Sequence, residues 1–307
     1  MRVSLGFAAI LAIVPSACFA QVQPAQSALL AMAAGQLVRE VVYNELNDHA
    51  RHGYWRYWVE RRSQSSTRLE EQVETAEGPV TRLAASDGHP LSAEGQREEQ
   101  VRLARLLASP QEQARHLQQY NEDEQRIGRI LVLLPDAFLY EYAGEDNGCY
   151  RLRFHPNPDY PAHSIEAHIF HAMSGELWVD ARSKRLARLE GRVGDNVDFG
   201  FGILGRLYKG GWFKLVRTQV SDSDWKTAQL EVHMSIRALL VKTFARETSE
   251  ERGGFEPVPA GLDLAHAVNL LDGEVPGQQA GKQMSTAQSM LTQPSALAAS
   301  TSFSPHK

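Results

Sequence analysis

The stretch FLYEYAGEDNGCYRLRF, residues 138–154, decides the fold. Phe138, Tyr140 and Tyr142 recur at every second position before Asn147-Gly148, and Tyr150, Leu152 and Phe154 do so after it. Asn-Gly favours a two-residue turn with positive φ, whose twist matches paired antiparallel strands, so this stretch predicts a β-hairpin with one apolar face. Pro156, Pro158 and Pro161 end it.

The same period continues downstream. Residues 166–171 and 176–180 predict a second strand pair around Met173-Ser174-Gly175, followed by strands over 185–193, 212–220, 228–236 and 239–246. In 228–236, Ala228, Leu230, Val232, Met234 and Ile236 alternate without a miss against Gln229, Glu231, His233 and Ser235, as a sheet with one apolar face requires. Upstream, Trp55, Tyr57 and Val59 alternate with Arg56, Trp58 and Glu60, and residues 68–73 alternate likewise. These predict long strands with one wet face, and a third follows over 79–85 before the turn cluster Ser86-Asp87-Gly88-His89-Pro90.

Helical spacing appears in three places. Leu30, Ala34, Leu37 and Val41 predict an amphipathic helix over 27–46. Residues 91–134 form a helical insertion between sheet segments, in which one helix stops near Ala108 and another starts at Pro110 under the capping box Ser109-Pro110-Gln111-Glu112. The second helix is polar through Arg126, a solvated face; its apolar stripe, Ile127, Ile130, Leu131 and Leu134, precedes Pro135. Leu262, His266, Val268 and Leu271 predict a closing helix that stops at Asp272-Gly273.

Composition narrows the function classes. The 307 residues are 43% hydrophobic and 22% charged, an ordinary globular balance. A net charge of -5 leaves no basic excess to neutralise phosphates, which argues against nucleic-acid binding. Residues 1–20 read as a secretory signal peptide, with Arg2, an apolar run over 7–14, Pro15 and the small-residue end Cys18-Phe19-Ala20. The expected mature protein is periplasmic and begins after Ala20. Pro15 stands where a lipoprotein signal carries a branched aliphatic, so cleavage after Ala20 is preferred over lipidation at Cys18. No stretch is long and apolar enough for an integral membrane span. The domain expected over 21–272 is followed by a polar tail, 273–307, with too little apolar surface to offset ordering.

Motifs that carry chemistry are few. Residues 200–205, GFGILG, match the dinucleotide fingerprint by letter, but Gly210-Gly211 and the alternating flanks deny it the strand-then-helix context. His163, His168 and His171 form a histidine cluster; read as a strand, His168 points away from the other two, so no metal site is expected. Cys149 is the one thiol expected after cleavage. With no recognisable nucleophile setting, no catalytic residue, no cofactor and no enzyme activity are expected.

Further stretches carry a resemblance: LPDAF at 134–138 leading into Tyr140-Glu141-Tyr142, LRFHPNP at 152–158, GELWVD at 175–180, RLARLEG at 185–191, the glycine run at 199–205 and FEPVP at 255–259. In this order they resemble an acidobacterial-type family of exported bacterial proteins related to outer-membrane lipoprotein-sorting proteins. The resemblance spans about residues 26–272. It implies an α+β, LolA/LolB-like fold, a curved antiparallel half-barrel covered by helices that shields acyl chains in an apolar cavity. The large helical insertion and the tail depart from a simple carrier. The expected partner is a lipid or lipoprotein acyl chain, with an envelope sensor or structural module binding a protein as the alternative. Alternation alone places Tyr140, Tyr142, Tyr150, Leu152, Phe154, Val232 and Met234 on the apolar sheet face as the expected ligand-binding residues.

Overall fold

The computed structural model describes residues 24–47, 53–199, 205–238 and 242–272. The expected signal peptide, the tail from 273 and residues 200–204 of the glycine run lie outside the described residues, as do 239–241 of the strand expected over 239–246.

Helix α1 (Pro24–Leu46) leads into strands β1 (Tyr54–Ser63), β2 (Thr67–Val73), β3 (Val80–Ser86) and the two-residue β4 (His89–Pro90). Helices α2 (Ala93–Ala108) and α3 (Pro110–Ala137) follow. The hairpin β5 (Phe138–Asp146) and β6 (Cys149–Pro156) comes next, then α4 (Ile165–Phe170), β7 (Met173–Asp180), β8 (Leu186–Val193), β9 (Val197–Phe199) and β10 (Gly205–Leu207). Strands β11 (Trp212–Gln219), β12 (Trp225–Ala238) and β13 (Lys242–Val258) and helix α5 (Leu264–Asp272) complete the described chain. The protein is thus α+β, and its strands form a single open antiparallel sheet in the order β4-β3-β2-β1-β13-β12-β11-β8-β7-β6-β5. Strands β9 and β10 lie off this path, β10 beside the far end of β12.

The deciding hairpin forms as its sequence requires. Asp146 pairs with Cys149, and Asn147 and Gly148 between them have φ of 48° and 78°. Both central residues are left-handed, the geometry for which Asn-Gly is selected. Ser109 caps α3 by accepting from the Glu112 N–H at 3.3 Å, and Pro110 opens that helix.

Three expectations are corrected. Residues 166–171 are not a strand but the short helix α4, because Ser164 Oγ accepts from the Ala167 N–H at 3.1 Å and the apolar contacts fall three apart, at Ala167 and Phe170. Helix α3 does not stop before Pro135 but includes it in its last turn. The wet face expected for β2 is absent: Leu69 through Val73, including Glu70, Glu71 and Gln72, are all buried. Charged neighbours make this possible. Glu71, 1% exposed, sits between Arg56 and Arg82, accepting from Arg82 Nη2 at 2.5 Å.

Helices cover the two ends of the sheet. At one end α1, α3 and α4 pack on β5–β8 in a core that includes Val38, Val41, Phe138, Tyr140, Leu152, Phe154, Phe170 and Leu177. At the other, α2 and α5 pack on Val73 and Val80 through Leu103, Leu106, Ala267, Val268 and Leu271. The register places these two cores on opposite faces of the sheet: Val73 shares a face with Arg56, whereas Leu152 is linked pair by pair to Arg61. Helix α3, about 42 Å long for its 28 residues, reaches from the β2–β3 turn to β5. At the turn, Gly78 (φ 104°) lies so close that a Cβ there would be 2.9 Å from Tyr120.

Candidate functional site: an apolar floor beside a guanidinium strip

The face that carries Leu152 is continuous across nine strands. Pairing the strands in turn gives one cross-strand row, Tyr142–Leu152–Leu177–Leu189–Leu215–Leu230–Glu250–Arg61–Arg68. The neighbouring row runs Tyr140–Phe154–Gly175–Gly191–Phe213–Val232–Thr248. At the paired glycines the phenylalanines lean over the bare backbone. A Cβ on Gly175 would meet Phe154 at 2.8 Å and the Glu190 carbonyl oxygen at 1.9 Å, and one on Gly191 would meet Phe213 at 2.2 Å. Glycine is required at Gly175 for this close approach.

Burial falls along the first row. Leu152 and Leu177 are in the core under α1, and Leu189 packs at its margin. Leu215, Leu230 and, in the second row, Val232 are half-buried and belong to none of the apolar clusters among the described residues. Phe213 and Met234 border them and pack against the core. Together these side chains make a partly open apolar floor on β11 and β12, about 5 Å from strand to strand.

Beyond Leu230 the same face becomes ionic. Arg61 donates from Nε to Glu70 at 3.0 Å and from Nη1 to Glu250. Arg68 Nη2 lies 3.1 Å from Glu70, and Arg252 Nη2 lies 2.8 Å from Glu250. The carboxylates are the inner partners: the Glu70 and Glu250 side chains are 7% and 12% exposed, against 34%, 51% and 24% for Arg61, Arg68 and Arg252. Three guanidinium groups therefore share two carboxylates and form the solvent-facing layer of the strip. The Arg252 Nε has no hydrogen-bond partner among the described residues. Nearby, burial pushes the Tyr57 hydroxyl far above its ordinary range, with the Glu74 carboxylate adding to the shift, so it stays protonated.

Helix α1 is pinned beside the floor at its C-terminal end. The Glu45 carboxylate accepts from Arg185 Nε and Nη2 at 3.0 Å each, from Arg217 Nη1 at 2.5 Å and from the Leu186 N–H at 3.1 Å. Burial raises its pKa, but the Arg217 charge and the Arg185 hydrogen bond outweigh burial, and the net shift is downward.

The sequence-expected residues divide between core and surface. Tyr140, Leu152 and Phe154 are buried against the helices, the Tyr140 hydroxyl donating to the Leu134 carbonyl at 2.7 Å. Tyr142 is 42% exposed and donates to Glu145. Tyr150 is half-buried with the Lys184 ammonium 4.5 Å above its ring. Val232 lies on the floor and Met234 at its edge. Sequence reasoning put Leu230 on the same apolar face as Val232 without naming it a ligand residue; it missed Leu215, their cross-strand neighbour, and the strip altogether. The detectable signal was charge recurring at every second position, in Glu250 with Arg252 and in Arg68 with Glu70.

The other chemical candidates fall elsewhere. His168 Nδ1 is 2.8 Å from the Ser164 carbonyl oxygen and His171 Nε2 is 2.7 Å from that of Tyr160. The Cys149 thiol is pushed up by burial and by Asp180 and Asp146, away from the reactive thiolate. The fingerprint-like glycine run is flanked by the short strands β9 and β10, which pair antiparallel. On the opposite face of the sheet, a cleft of about 320 Å³ lies over the two glycines, lined by Glu176, Glu190, Arg192, Trp212 and Lys214. Among the described residues no helix is long and apolar enough to cross a membrane.

No family model matches the sequence, and no curated protein matches it. Among solved structures the chain is similar to a DUF1329 family protein from Desulfovibrio piger, at 12% identity and a TM-score of 0.28, over 78% of this chain and 97% of that one. It is also similar to MucB, solved in complex with MucA(peri), at 11% identity and a TM-score of 0.21, over 74% of this chain and 100% of that one. Likeness at these scores carries no inference about the site, whose geometry stands by itself.

Proposed function

We propose that this chain is an exported, periplasmic binding protein that holds an apolar ligand, such as the acyl chain of a lipid or lipoprotein, on a sheet curved into a half-barrel, and that it performs no catalysis. The single observation that carries the reading is the leucine row, which leaves the helix-covered core and continues as the half-buried Leu215, Leu230 and Val232. Strand twist accumulates over a sheet this wide, and twisted open sheets beyond about ten strands curl. Each acyl methylene buried on the floor contributes about 0.8 kcal/mol, so a chain of ordinary length supplies enough to bind without a dedicated polar pocket.

Native mass spectrometry of the protein purified from a bacterial periplasm, followed by organic extraction, tests the reading. A co-purified lipid is expected, and it is expected to be lost in Leu215→Asp and Val232→Asp while circular dichroism stays unchanged. A clean apo mass, with no uptake of added fluorescent fatty acids, overturns the carrier and favours a module that binds a protein partner through the polar part of α3.

A further inference from the structure

Resting on the carrier reading, we infer that the ligand is a single-chain amphiphile with an anionic head, a long-chain fatty carboxylate, lying across the strands with its head on the guanidinium strip and its chain on the apolar floor. The register aligns the two. Leu189, Leu215 and Leu230 lead in one row to Glu250, Arg61 and Arg68, so a straight chain laid along that row passes from apolar to cationic surface without turning. From β8 to β13 the row crosses three strand spacings, roughly 14 Å, the reach of an extended acyl chain. Charge complementarity then sets the sign of the head. Glu70 and Glu250 are the buried members of their pairs, and Arg61, Arg68 and Arg252 are the outer ones. A carboxylate approaching from solvent meets guanidinium groups first, and it would gain charge-assisted hydrogen bonds from the outer arginines. A cationic head would meet the same three guanidinium groups and be repelled.

The test compares palmitate, hexadecanol and hexadecylamine, three chains of equal length with anionic, neutral and cationic heads, for displacement of a bound fluorescent apolar dye from the full chain. Palmitate is expected to bind at least tenfold more tightly than hexadecanol and to lose that advantage as ionic strength rises. Arg68→Gln, which leaves Glu70 paired with Arg61, is expected to lower palmitate affinity several-fold and leave hexadecanol binding unchanged. Double substitution Arg68→Gln with Arg252→Gln, accepted only if its unfolding midpoint shows a folded protein, extends the loss. Equal affinity for the three heads, or preference for the amine, overturns this inference while leaving the apolar carrier intact. If none of the three chains displaces the dye or binds directly, both readings fall.

Discussion

One face of one sheet carries two kinds of interior. On β6 and β7 it buries Leu152 and Leu177 beneath α1, whereas on β2 it buries Glu70 and Gln72 at nearly the same depth. Both stretches obey the same two-residue period. The difference lies in what satisfies each side chain: helices and aromatic rings at one end, arginines and Tyr57 from neighbouring strands at the other. Alternation therefore states which residues share a face, and the neighbours decide whether that face is dry, ionic or open. Between the two interiors lies the floor of β11 and β12, covered by neither.

Substitutions that remove one partner from each region sharpen the contrast. The largest loss is expected on the other face of β2, where Glu71→Ala leaves Arg56 and Arg82 packed around a missing charge. A cost of about 4 kcal/mol, read from the urea midpoint, is expected for such a broken buried pair. Leu152→Ala removes a fully buried side chain from the apolar end and is expected to cost about 3 kcal/mol. Glu45→Gln is expected to cost about 2 kcal/mol at neutral pH, because charge-assisted bonds from Arg185 and Arg217 become neutral ones. Its pH dependence has a definite sign. The folded carboxyl titrates below its ordinary value of 4.5, so the contribution is whole above that value and is lost as the pH falls through the lower folded value. Acid titration of stability should accordingly be shallower in Glu45→Gln than in the parent. The smallest effect, under about 1 kcal/mol, is expected for Leu215→Ala, in the same row as Leu152 but half-open to solvent. A loss equal to that of Leu152→Ala would show the floor to be covered and would break the contrast.

What could be read in the sequence follows from how local each signal is. The 138–156 hairpin was legible because turn and alternation lie within one short stretch. Helix α4 was misread because three prolines isolate it and six residues are too few to separate a period of two from 3.6. The strand expected over 239–246 was stopped too soon. Strand β13 continues through Val258, and the charges at Glu247, Glu250, Glu251 and Arg252 disguised it, since their pairing with β1 is invisible along the chain. The same cause hid the site. Val232 and Leu230 could be placed on the apolar face by alternation, but Leu215 joins them only through the register of β11 with β12, and the guanidinium strip joins strands from opposite ends of the sequence.

The pairing of β1 with β13 has a kinetic consequence. Arg61 and Glu250 are 189 residues apart, and β13 is the strand that links β4-β3-β2-β1 to β12-β11-β8-β7-β6-β5. A chain emerging from the ribosome can form each group of strands as it appears, but the two remain unjoined, each with a bare edge, until the final strand arrives. Closing so long a loop is the costliest search in this topology, so joining the halves is expected to limit the folding rate. Until then the unpaired edges of β1 and β12 are the places where two nascent copies would exchange strands.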